Sequence, residues 1–277
     1  MASKSQRMPK GYALMWLFFT AAYLVWMLGF MRPDTYPPAE TGWLSPWMFY
    51  AWIPVSALFM LLFIVYIARF LYGTVTKGVK MFALISLLFG CAFITGYCFF
   101  KNPLDYTASM IGLDYPWHFK MWGLFASMSI FANTMYAFRK YNYNSRVGII
   151  AGSIGCAALF VTINVPSAGE DLILNSLRCM SHWSGALIFA FGAATPVVLF
   201  LFHLAKSKKA GLVLALAFCA ALAVSLTLLV VIGKDGIIEG VPTWAVYIVL
   251  FLVNFTPLFE NKNDPAVLKK SKTAVHA

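Results

Sequence analysis

His118 and His182 each open an apolar stretch, 64 positions apart, and polar or soft side chains cluster around both. Asp114, Lys120 and Met121 flank the first. Glu170, Asp171, Asn175, Arg178, Cys179 and Met180 flank the second. Two imidazoles reaching inward at one depth from facing helices are the ligand set of a haem b, whose propionates need basic neighbours. Lys120 and Arg178 are the candidates for that role. The same two histidines, with Met48, Cys179 and Met180, are also a set of ligand types suited to copper(I). A second haem finds no support. His203 lies 21 residues beyond His182, about 31 Å along a helix, and no other stretch supplies it with a partner. His276 sits in a basic tail. Taken singly, each histidine also has a plainer reading, as an interfacial residue bonded to a neighbouring loop.

The elements that hold these residues follow from composition. Of 277 residues, 61% are hydrophobic and 11% charged, and the mean hydropathy is +0.76. Soluble domains carry about 45–50% apolar and about 25% charged residues. An ordinary soluble globule, a disordered chain and a nucleic-acid-binding basic domain are thereby excluded. A membrane helix needs about 20 apolar residues. Eight stretches qualify: 11–31, 47–71, 80–100, 117–138, 147–165, 180–204, 211–232 and 242–259. The first is read as a retained helix, because MASKSQRMPK runs into an apolar stretch too long for a cleaved signal. The reading is one all-α polytopic membrane domain over 1–277, with 260–277 as a basic cytoplasmic tail.

Charge supports this count. Lys4, Arg7 and Lys10, Arg69, Lys77 and Lys80, Arg139, Lys140 and Arg146, and Lys206, Lys208 and Lys209 fall at alternate ends of the stretches. Lys262, Lys269, Lys270 and Lys272 join them. The other ends hold only Arg32, Lys101, Lys120, Arg178 and Lys234, with most of the acids. The positive-inside rule then places both termini in the cytoplasm, in a multi-pass protein of the cytoplasmic (inner) membrane. The formal charge of +11 reports orientation rather than a nucleic-acid partner; the expected partners are the lipid bilayer and a membrane or periplasmic protein. Most tryptophans fall near stretch ends, as an aromatic belt. Eight spans with outer-side histidine and methionine resemble, in topology, copper-resistance membrane proteins of the CopD type. That resemblance implies copper handling at the outer side.

Internal similarity suggests a repeat. Gly90-Cys91-Ala92, Gly155-Cys156-Ala157 and Phe218-Cys219-Ala220 recur at cysteine spacings of 65 and 63, and Pro46-Trp47 matches Pro116-Trp117. The implied layout is one leading helix, three parallel helical hairpins and one closing helix. Pro54 and Pro196 should kink their helices. Asn133 and Thr134 fall mid-span, as interhelical glue or as cavity lining. None of the eight stretches contains Asp or Glu, which argues against the usual carboxylate-coupled carriers. No HExxH, P-loop or dinucleotide fingerprint occurs in a suitable context.

Three functions fit these residues. The first is a membrane subunit of a redox complex, holding haem b or a quinone near the outer face. The second is a transporter, flippase or copper-handling protein with an outer-side site. The third is a structural or assembly subunit of a membrane complex.

Overall fold

A computed structural model describes residues 77–164 and 177–259. Within them the chain is all-helical, with seven α-helices. These are α1 (Lys77–Cys98), α2 (Ala108–Asp114), α3 (Pro116–Lys140), α4 (Arg146–Asn164), α5 (Leu177–Ala205), α6 (Lys209–Val231) and α7 (Gly236–Phe255). Helices α1, α4, α5, α6 and α7 are long and apolar enough to cross a membrane. Six of the eight expected stretches thus coincide with long helices. The stretches 11–31 and 47–71, with Met48 and the first helix of the first proposed hairpin, lie outside the described residues.

Helix α3 is equally long but more polar, and its position explains why. Every residue from Gly123 to Phe138 is buried, because α1, α4, α5 and α7 all pack against it. A helix walled by protein can carry polar groups that find partners there. Ser127, Thr134 and Ser129 bond backward to their own turns. Asn133 Nδ2 donates to Ser86 Oγ at 3.2 Å on α1, and Asn254 Nδ2 donates to Asn133 O at 2.9 Å from α7. The Tyr247 hydroxyl meets Ser129. Asn133 is therefore interhelical glue, in keeping with polar side chains at interhelical contacts, whereas Thr134 bonds its own turn.

The ends of the bundle separate the charges. Lys140 Nζ donates to the carbonyls of Val253 and Asn254 at 3.2 and 2.9 Å, joining α3 to α7 at one end. Arg139, Arg146, Lys206, Lys208 and Lys209 lie at helix termini of that same end. Lys101, Asp114, Lys234, Asp235 and Glu239 lie at the other, where Gly236 N donates to Pro103 O at 2.7 Å.

Two elements differ from expectation. The segment 101–115, between two expected stretches, contains α2, whose start is fixed by Thr107: its side chain accepts from Met110 N at 3.1 Å, a standard N-cap. Helix α7 begins six residues before the expected 242. Asp235 caps it, accepting from Ile238 N at 2.6 Å. Pro242 is then internal and cannot bond the carbonyl of Ile238, four residues earlier. Ser225 Oγ on α6 takes that carbonyl at 2.8 Å, so the helix continues through the proline. The turn before α7 uses Gly233 at φ 103°, a conformation L side chains rarely adopt. The earlier start places a carboxylate, Glu239, in the first turn of an apolar helix. This corrects the expectation that no acid lies within a spanning stretch.

Candidate functional site

Helices α2, α3, α5, α6 and α7, with residues of α1 and α4, line a partly open cavity of about 630 Å³, within the range that holds a drug-sized ligand. Its polar groups gather at the acidic end of the bundle: Thr107, Ser109, His182, Lys234 and Glu239. The rest of the wall is mostly apolar, including Ala190, Phe191, Ala194, Leu222 and Leu226 where α5 meets α6, with Thr162, Ser225 and Thr243 among them. The cavity is graded, wet-tolerant at one end and hydrocarbon-like at the other.

His182 belongs to this wall. Its ring is 3% exposed, and Nε2 lies 2.9 Å from Ser109 Oγ. Its carbonyl accepts from Thr162 Oγ1 at 3.3 Å, which fixes the first turns of α5 against α4. Facing the imidazole from α3 is Phe119, with ring centroids 6.2 Å apart and planes at 31°. Phe119 in turn stacks on Trp122 at 5.6 Å.

His118 is equally buried at 3% but sits elsewhere. Its ring meets Phe100 edge-on at 5.2 Å and Tyr115 at 6.0 Å. Among the described residues His118 Nε2 has no hydrogen-bond partner. Consecutive helix residues point about 100° apart. Because Phe119 faces His182, its neighbour His118 is turned toward the α1–α2 connection instead. The two histidines share a depth but have different surroundings, and His118 is not among the residues lining the cavity.

The other candidates are distributed as follows. Lys120 is half-buried on α3. Met180 is 53% exposed, and Met121 is buried in the core. The side chains of Arg178 and Cys179 lie outside the described residues, as does Met48. His203 packs on Tyr143 at 4.6 Å, at the opposite end of the bundle. Among the described residues no group of three or more His, Cys, Asp or Glu side chains converges. Of the copper set, His182 lines the cavity, whereas His118 and Met180 are not among its lining residues.

Glu239 is the lining residue that sequence reasoning missed. Its Oε2 accepts from Ala108 N at 3.0 Å, so a carboxyl on α7 holds the start of α2. Tyr97 OH donates to Ala108 O at 2.8 Å. With the Ser109–His182 contact, these bonds tie α2 to α1, α5 and α7, so α2 forms the polar lip of the cavity. The available signal was Asp235, a cap-forming residue ahead of the run Gly236-Ile237-Ile238.

Asp114, at the end of α2, pairs with Lys101 at the surface. That hydrogen bond is the main cause raising the Lys101 pKa above the ordinary lysine value. A raised pKa in the folded state stabilises below the unfolded pKa and is lost as pH climbs through the folded one. The pair should therefore act unchanged at neutral pH and fade only in alkali, above about pH 10.4. Because the pair is exposed, Asp114→Asn should cost no more than about 0.5 kcal/mol. Thermal unfolding of the two proteins should differ slightly at pH 7 and coincide near pH 12.

No known family model, characterised protein or solved structure matches this chain.

Proposed function

We propose that this chain is a membrane subunit of a redox complex, and that its cavity binds a quinone-type molecule. The reading places the protein in the cytoplasmic membrane with both termini inside, so that the cavity lies toward the outer face. The observation that carries it is the gradient along the cavity. A ring bearing oxygen atoms fits the Ser109–His182 end, and an isoprenoid tail fits the apolar wall between α5 and α6. Pockets that orient a ligand by a few polar groups on an otherwise apolar wall follow this pattern.

Within the same redox class, the quinone is favoured over haem b. Bis-histidine ligation asks both imidazoles to address one iron. Here Phe119, rather than His118, faces His182. Electrons would pass to or from a partner protein at the outer side.

The transporter or flippase reading retains two supporting observations. The cavity reaches between α3 and α5, and a carboxylate, Glu239, lines it. A purely structural or assembly subunit gives no reason for a cavity of this size.

The test is chemical identification of the occupant. The full chain is purified into nanodiscs with native lipid and extracted with organic solvent. An isoprenoid quinone near one equivalent, and quenching of Trp122 and Trp183 fluorescence by an added short-chain quinone, support the reading. A retained phospholipid with no quenching transfers support to the flippase. A reduced-minus-oxidised spectrum with a haem α band restores haem b.

A further inference from the structure

The geometry points to a cavity loaded from the side, out of the bilayer, through a cleft between α5 and α6. Its occupant is an amphiphile whose chain stays in the membrane while the head group reaches the polar end. This goes beyond the quinone reading and holds whichever head group the amphiphile carries, so the two can fail separately.

The way α5 and α6 are held makes the cleft. At the basic end a tight turn joins them. Ser207 N and Lys208 N donate to Leu204 O at 3.1 and 3.0 Å, and a Cβ on Gly211 would lie 2.7 Å from Ala205 N. Toward the acidic end α6 is tied to α7 instead, by the bond from Ser225 Oγ to Ile238 O. Ala186, Ala190 and Ala194 stand four residues apart on one face of α5. All three line the cavity, as do Leu222, Ala223 and Leu226 on α6. The alanine side chains are too short to fill the space between the helices.

The depth of the cleft decides what can reach it. Leu187, Phe191 and Leu226 line the cavity and are 44%, 62% and 48% exposed. They belong to the cavity and to the outer surface of the bundle at once. Phe191 is the middle residue of α5, nine positions beyond His182, or about 14 Å along the helix. The middle of a spanning helix lies in the hydrocarbon core, about 30 Å thick. Acyl and isoprenoid chains are the solvent there. One turn further, Ala193 and Ala194 are buried, and the opening ends. A chain entering at Phe191 therefore never leaves the hydrocarbon, whereas entry over the polar lip of α2 would draw it through water.

The test is photo-crosslinking of the full chain in nanodiscs of phosphatidylethanolamine and phosphatidylglycerol. These are doped with a phosphatidylcholine that carries a diazirine at the end of one acyl chain, and labelled residues are located by peptide mass spectrometry. Val213 and Leu216 on α6 are exposed and are not among the lining residues, so they report ordinary lipid contact. Phe119 and Trp122 line the cavity from α3, the helix that α1, α4, α5 and α7 pack against. Both pairs should be labelled in the wild type. Ala190→Phe combined with Ala223→Phe, at two exposed positions of the cleft, should abolish the label on α3 and keep that on Val213 and Leu216. Label confined to Val213 and Leu216 in the wild type overturns the side entrance and leaves the quinone reading standing. A label on α3 that persists in the plugged variant also overturns it, because the chain then arrives by another way. Should the double variant not fold, Ala223→Phe alone is read in the same manner. A label on α3 without quenching by a short-chain quinone rejects the quinone and keeps the side entrance.

Discussion

Gly192→Val should leave little folded protein, because it drives a side chain into the backbone of the neighbouring helix. A Cβ at Gly192 would lie 2.5 Å from Gly155 Cα and 2.7 Å from Ala151 O. Reciprocally, a Cβ at Gly155 would lie 2.9 Å from Gly192 Cα. These are main-chain atoms, so no rotamer change relieves the clash and α4 must move from α5. Gly148 and Gly152 extend the same groove and receive Pro196, which would lie 3.3 and 3.6 Å from a Cβ added at each. In a bilayer, helix association depends on close van der Waals packing, since lipid tails are as apolar as the side chains. Separation therefore forfeits contacts without a hydrophobic effect to compensate. Overpacking of this kind costs about 3 kcal/mol or more. Gly96→Ala is the matched control: nothing lies within 4 Å of its Cβ position. The measurement is the fraction remaining monodisperse in detergent after stepwise heating. Gly192→Val should lose that peak at temperatures where Gly96→Ala and wild type keep it. Survival of Gly192→Val to the wild-type temperature would mean that α4 and α5 do not meet as described.

The sequence disclosed these helices through charge and length, because a bilayer imposes both. Lysine and arginine at alternate ends and runs of about 20 apolar residues are one-dimensional signals. What they leave open is rotation about each helix axis. Counting residues matches His118 and His182 in depth, yet the residue turned toward His182 is Phe119, one position on. A single residue changes the direction by about 100°, and weakly amphipathic helices contain no periodic marker to set it. Helix α2 escaped for a different reason: seven residues are too few to establish a period, and only its Thr107 cap is local. Glu239 escaped because the expected stretch began only at position 242. The group that lets α7 run through Pro242, Ser225 Oγ on α6, is a tertiary contact with no trace in the local sequence. Asn133 on α3 was legible as glue, since it bonds α1 and α7 from a buried central helix.

That unequal legibility makes the two histidines the sharpest test of function. His182→Ala should weaken quinone binding by about tenfold to a hundredfold, equivalent to about 1.4–2.8 kcal/mol. It removes the partner of Ser109 Oγ and the ring packed on Phe119, so the polar end of the cavity loses both a contact and its shape. His118→Phe should leave binding within about twofold. The phenyl ring fits among Phe100 and Tyr115, and the substitution deletes a buried nitrogen that has no partner among the described residues. Because an unsatisfied buried polar atom carries a desolvation cost, His118→Phe should unfold at the wild-type temperature or above it. Fluorescence titration with a short-chain quinone and thermal unfolding in the same nanodiscs separate these effects. The opposite pattern, in which either substitution abolishes binding equally, would place both imidazoles on one ligand and return the site to a shared metal or haem.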